Sequence, residues 1–127
     1  MPSGSILVVD DNEANLKLLR WLLEKKGYEV RTACDAKTAR ESIRAARPDL
    51  VLMDIQLPDV DGLQLTREFK ADPALRDIPV VAVTSYAMKG DQQKTIDAGC
   101  DGYITKPIDT RQFPLDIEKY LHGAKKG

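Results

Sequence analysis

Apolar and polar positions along the chain alternate between two periods. Short β-branched runs recur at intervals, and each is followed by a longer stretch with apolar residues three and four apart. "SILVVD" (5–10) predicts a buried strand. "NEANLKLLRWLLEKKG" (12–27) predicts a helix, with Leu16, Leu19 and Leu23 on one face, Asn12 as its cap and Lys25, Lys26 and Gly27 at its end. Trp21 is expected at the packed face or its margin. "YEVRTA" (28–33) alternates like a strand. "DAKTARESIRAARP" (35–48) predicts a helix capped by Asp35, with Ala39, Ile43 and Ala46 inward, and stopped before Pro48.

"DLVLMD" (49–54) predicts the third strand. Asp61 and Gly62 open a third helix that carries Leu63 and Phe69 and fades near Asp72-Pro73. "IPVVAVTS" (78–85) predicts the fourth strand, residues 90–98 a polar helix ended by Gly99, and "GYITKP" (102–107) a short fifth strand. The last helix is expected to reach about Leu121, with a basic tail beyond. Pro114 lies about a turn inside it if Asp109 or Thr110 is the cap. That position predicts a distorted turn over 110–113 and regular helix from near Pro114.

Short strands alternating with helices imply a parallel sheet covered on both faces. Right-handed crossovers make it a doubly wound α/β domain of five strands with five helices, for which the flavodoxin-like order 2-1-3-4-5 is expected by analogy with known folds of that class. No linker, repeat or low-complexity segment interrupts the chain, so one domain over 1–127 is expected, with its core at about 5–121.

Composition narrows the function. The 127 residues carry 19 Lys plus Arg against 20 Asp plus Glu, a net charge of −1, which lacks the basic excess of a general nucleic-acid binder. Cys34 and Cys100 cannot make a disulfide framework, and His122 is the only histidine, so no Cys/His metal cluster forms. Both thiols are expected free and at least half-buried in a reducing compartment. No run approaches membrane-spanning length and no signal-peptide pattern opens the chain. A cytoplasmic protein without membrane contact is expected.

Candidate chemistry gathers where sites form in such folds, beyond the carboxyl ends of the strands. Strand one ends in Asp10-Asp11, strand three in Asp54, strand four in Thr84-Ser85, and strand five in Thr105-Lys106-Pro107. With strand one beside strand three, the three aspartates converge and repel one another. A hard divalent cation and the Lys106 ammonium can relieve that repulsion. A carboxylate can be a nucleophile toward phosphorus. Phosphoryl transfer is mostly positioning and charge stabilisation at the equatorial oxygens, which Mg²⁺, Lys106 and the Thr84 hydroxyl could each meet. A lone strand-terminal Asp is often only a cap or turn residue. The weight rests on the combination.

"ILVVDDNEANLKLL", "PDLVLMDIQLPDVDG", "PVVAVTSYAMKGD" and "GCDGYITKP" resemble the receiver domains of two-component response regulators over essentially the whole chain. The likeness is nearest to stand-alone receivers of the DivK type and to receivers attached to hybrid kinases. The resemblance implies that Asp54 accepts phosphoryl from a partner's phosphohistidine. It implies that Asp10, Asp11, Asp54 and the Gln56 carbonyl bind Mg²⁺, with Mn²⁺ as a substitute. It implies that Lys106 contacts the phosphoryl group, that Lys106-Pro107 is a cis peptide, and that Thr84 and Tyr103 form the switch. Gln56 and Tyr86 side chains would tune water access, and helix four, strand five and helix five would form the readout face. The implied partners are a sensor histidine kinase or histidine phosphotransfer protein and a downstream protein target, with the chain a monomer or weak dimer.

Three other readings compete. A phosphohydrolase related to haloacid dehalogenases would want a second acid where Gln56 stands. A nucleotide or flavin binder would want glycines where the chain has Asp-Asp-Asn-Glu, which repels phosphate. A receiver acting only as a scaffold would not need the full acid set.

Overall fold

The structure is a computed structural model that describes residues 4–84, 89–106 and 108–125, the side chains of 89–92 and 122–125 excepted. Ten elements alternate: β1 (Ser5–Val9), α1 (Glu13–Lys25), β2 (Glu29–Ala33), α2 (Ala36–Ala45), β3 (Leu50–Asp54), α3 (Gly62–Ala71), β4 (Val80–Thr84), α4 (Lys89–Asp97), β5 (Gly102–Thr105) and α5 (Phe113–Lys125). The five strands form one parallel sheet in the order β2-β1-β3-β4-β5. This is the predicted flavodoxin-like order.

The central strands are buried on both faces, and their residues divide by parity. Ile6, Val8, Leu50, Leu52, Val81 and Val83 pack with α1 and α5 through Leu19, Leu23, Phe113 and Ile117. Leu7, Val9, Val51, Met53 and Val80 pack on the other side with α2 and α3 through Ala36, Ala39, Ile43, Leu65 and Phe69. Two apolar layers thus clamp the sheet and leave its carboxyl edge to carry the polar residues. No helix among the described residues is long and apolar enough to cross a membrane.

Three helix starts follow from short polar side chains taking otherwise orphaned amides. Asn12 accepts from Asn15 N at 3.1 Å, Asp35 from Thr38 N at 2.7 Å, and Asp61 from Leu63 N at 2.8 Å. The last helix begins at Phe113, after a turn over 110–112. There Asp109 Oδ1 accepts from Arg111 N and Gln112 N, and the Asp109 carbonyl accepts from Phe113 N at 2.8 Å. Pro114 falls in the first turn, where a missing N–H costs nothing. The helix continues to Lys125 rather than ending near Leu121.

Other expectations need correcting. Ala46 is exposed and extended, because α2 has already ended at Ala45 and helical periodicity no longer governs its direction. Trp21 is 59% exposed. It stands two residues from both Leu19 and Leu23, about 200° around the helix from each. The Lys25 ammonium lies 4.9 Å from its ring centroid. Cys34, one residue beyond β2, is also exposed, and only Cys100 is half-buried.

Gly99 ends α4 at φ +99°, with Cys100 N donating to Thr95 O at 3.0 Å. A Cβ there would lie 2.9 Å from Lys70 Cγ, on a side chain whose ammonium bonds the Ile78 carbonyl and Asp101. Gly99→Ala is therefore expected to cost about 1–2 kcal/mol, mostly backbone strain. Urea denaturation checks this, and an unchanged midpoint would refute it.

Candidate active site at the carboxyl edge of the sheet

Each central strand delivers a polar residue as it leaves the sheet. Asp10 directly follows β1, and its N–H continues the ladder to the Ala33 carbonyl at 3.0 Å. The side chain is 1% exposed. Its Oδ1 accepts from Asn12 N at 2.8 Å, and its Oδ2 accepts from Asn15 Nδ2 at 3.4 Å. Asp11 turns to solvent. Asp54 is the last residue of β3, 4% exposed, with Oδ1 accepting from Gln56 N at 3.1 Å.

One cation serves two of these acids. Lys106 Nζ lies 3.2 Å from Asp10 Oδ2 and 3.7 Å from Asp54 Oδ1. Its backbone N–H donates to the Thr84 carbonyl at 2.7 Å, which anchors the end of β5 to the end of β4. The separation of Asp10, Asp54 and Lys106 in sequence thus disappears at the rim. Asp10, Asp11 and Asp54 each present a carboxylate oxygen within 4.8 Å of the others. Burial pushes the Asp54 carboxyl up to about 6, against the pull of the Gln56 N–H. Asp10 pushes it further, Lys106 opposes, and Asp11 adds a smaller push.

An all-oxygen set with one lysine and three acids fits a hard divalent cation, because excess negative charge is held at close range in a partly buried setting. Asp54 combines the two properties a nucleophilic carboxylate needs. It is desolvated, and it is fixed by one amide and one ammonium.

The remaining predicted residues fall around this centre. Thr84 ends β4, buried, one register position beyond the Asp54–Val83 pair. Tyr103 is half-buried on β5, opposite Ala82. It lines a surface groove of about 420 Å³ with Phe113 and the acids Asp109 and Asp116. Gln56 is exposed and forms an antiparallel bridge with Asp61. Pro107, and with it the cis Lys106-Pro107 peptide, lies outside the described residues, as do Tyr86 and Met88.

Two local participants go beyond the sequence expectations. Asn15 is a polar position on a helix, and it reaches Asp10 from within the first turn of α1. Asp59 belongs to a loop rich in turn residues, and its carboxylate accepts from Ala36 N and Lys37 N of α2. The spacing from Asp10 is the one signal that could find Asn15. Nothing in the linear pattern points from Asp59 to a helix more than twenty residues earlier.

Known proteins carry the same plan. The chain is 48% identical over 120 residues to the polar-differentiation response regulator DivK of Brucella anthropi, covering 94% of this chain and 98% of that protein. The solved CheY-like response regulator receiver domain protein of Methanospirillum hungatei superposes with a TM-score of 0.90 at 32% identity, covering 98% of both chains. The receiver domain of a signal transduction histidine kinase from Syntrophus aciditrophicus does so with 0.88 at 31% identity, covering 98% of this chain and 94% of that one. The family model for the response regulator receiver domain matches residues 6–118, and the chain belongs to that family.

Proposed function

We propose that Asp54 is the phosphoryl acceptor of this receiver and that Lys106, Thr84 and a Mg²⁺ site built on Asp10 and Asp11 serve its reaction. The chain is a phosphorylatable receiver module of two-component signalling. The observation that carries the finer reading is Lys106 lying between two buried carboxylates, with a third close by.

An Asp54 oxygen attacks the phosphorus of a partner's phosphohistidine. The new O–P bond forms as the P–N bond breaks, and the imidazole leaves with the electron pair. Lys106 Nζ pairs with one phosphoryl oxygen, and the Thr84 hydroxyl donates to another. Asp10, Asp11, Asp54 and the Gln56 carbonyl would hold Mg²⁺, or Mn²⁺ in its place. When bound, the ion supplies positive charge against the transferring phosphoryl oxygens.

Output follows from differential contact. The phosphorylated site holds Thr84 and Lys106 in one arrangement, Tyr103 follows on β5, and the face of α4, β5 and α5 changes what it binds. The upstream partner is a sensor histidine kinase or a histidine phosphotransfer protein, and the downstream partner is a protein. The module acts as one receiver unit, monomeric or weakly dimeric, in the cytoplasm. Its chemistry is its own phosphorylation and dephosphorylation. A dehalogenase-like phosphohydrolase gains no support, since Gln56 occupies the position of its second acid.

Incubation with acetyl phosphate and Mg²⁺ is expected to add one phosphoryl group by intact mass. The adduct should be absent in Asp54→Ala and after chelation. An adduct that persists in Asp54→Ala would remove this reading.

A further inference from the structure

We infer that Asp59 is a positioning residue: it ties the tip of the loop after Asp54 to α2 and thereby sets where the Gln56 main chain stands. The inference rests on the acceptor site proposed above. The stem of the loop is closed by its own bonds. Gly62 N donates to the Ile55 carbonyl at 2.8 Å, Gln56 bridges Asp61, and Gln56 N donates to Asp54 Oδ1. The tip has a different anchor. Leu57 and Val60 lean on the α2–α3 side of the core, and between them Asp59 takes Ala36 N at 3.0 Å and Lys37 N at 3.3 Å.

Helix α2 does not depend on this second carboxylate. Asp35 already takes the Thr38 amide. Arg31 holds the far end of the helix through the Ser42 carbonyl at 2.8 Å, and Arg40 pairs with Glu68 of α3 at 2.7 Å. Ala36, Ala39 and Ile43 bury its inner face. The helix is the fixed body and the loop tip is what Asp59 fastens. The Ala36 amide, more than the other amides it meets, holds the Asp59 carboxyl below its usual range, so the tie is ionised at neutral pH.

The tie also closes a circuit around the acids. Asp10 N bonds the Ala33 carbonyl at the end of β2. Three residues later α2 begins, Asp59 grips its first amides, and the loop returns through Gln56 to Asp54. Groups that orient the ligands of a metal contribute roughly tenfold or more in its affinity. Asp59 would orient the Gln56 carbonyl in that way, through the main chain.

The test compares parent, Asp59→Ala, Asp59→Asn and Arg40→Ala by calorimetric titration with Mg²⁺ and by amide exchange in the metal-free protein. Asp59→Ala is expected to bind Mg²⁺ about tenfold more weakly and to exchange the Gly62 amide faster. Asp59→Asn keeps one of the two acceptor oxygens and should recover part of the affinity. Arg40→Ala weakens the hold of α2 on α3 without touching the amides that Asp59 grips and should leave both readings at the parent's values. Equal losses in Asp59→Asn and Asp59→Ala would make the effect one of charge alone and overturn the inference. So would a shift in Arg40→Ala as large as in Asp59→Ala, or parental values in Asp59→Ala. Neither readout involves phosphorylation. A parent that takes no phosphoryl group therefore sinks the acceptor reading while the comparison at Asp59 still decides.

Discussion

In metal-free protein at pH 7, Asp54→Asn is expected to be more stable than the parent by about 2 kcal/mol. The parent holds three carboxylates within 4.8 Å of one another, with Lys106 as the cation reaching two of them. Asparagine keeps an oxygen for the Gln56 N–H and removes the buried charge. Lys106 loses a contact at 3.7 Å and keeps Asp10 at 3.2 Å. A carboxyl moved from 3.8 to about 6, with the Lys106 attraction already counted in that shift, carries up to about 3 kcal/mol between its protonation states, and burying the new amide N–H group takes back part of that.

The sign fixes the pH window. The folded protein holds the Asp54 proton more tightly than the unfolded chain does. The Asp54 contribution to parent stability therefore falls as pH rises from about 3.8 through about 6, and its full cost is present above that. Below pH 3.8 both states are protonated, and parent and variant should converge. Added Mg²⁺ should reverse the order at neutral pH, because it binds the folded parent through the charge that the variant lacks. Urea denaturation in chelator across this range checks all three points. A variant less stable than the parent at pH 7, or a gap that does not close in acid, would refute the argument.

Features set by short stretches of chain are legible in the sequence. Asn12, Asp35 and Asp61 cap the helices they precede because a side-chain oxygen needs only the amides two or three residues on. The parallel sheet follows from alternating elements, and the strand order that brings the acids together follows from the likeness to receivers. Other features depend on where one element lies against another, and these are not legible. Trp21 is not among them, because its two-residue spacing from Leu19 and Leu23 already turns it away from the packed face. Cys34 is set by where β2 stops, and Ala46 by where α2 stops. Asp59 meets α2 only after two crossovers have placed the loop beside it. Gly62 reads as a turn residue, and its reason for being glycine appears only when α3 is laid on β3.

That reason yields the second large expectation: Gly62→Ala should cost about 3 kcal/mol or more, or prevent folding. A Cβ at Gly62 would stand 2.0 Å from the Asp54 carbonyl oxygen and 2.9 Å from Ile55 Cα. Both are backbone atoms of the segment that carries Asp54, and no rotamer change moves them. The glycine cannot withdraw alone. Its N–H bonds Ile55 O at 2.8 Å, and its carbonyl accepts from Thr66 Oγ1 at 2.9 Å. Relief requires α3 to move off the sheet and to take Leu65 and Phe69 out of the second core layer. Its φ is not in the positive range that favours glycine, so the penalty is steric, unlike that at Gly99. Because the clash falls on Asp54 itself, a variant that folds should also take phosphoryl from acetyl phosphate far more slowly than the parent. Gly99→Ala, remote from the acids, should keep the parental rate. Parental stability together with a parental rate in Gly62→Ala would mean that β3 and α3 do not approach as described, and the placement of Asp54 against its loop would fall with it.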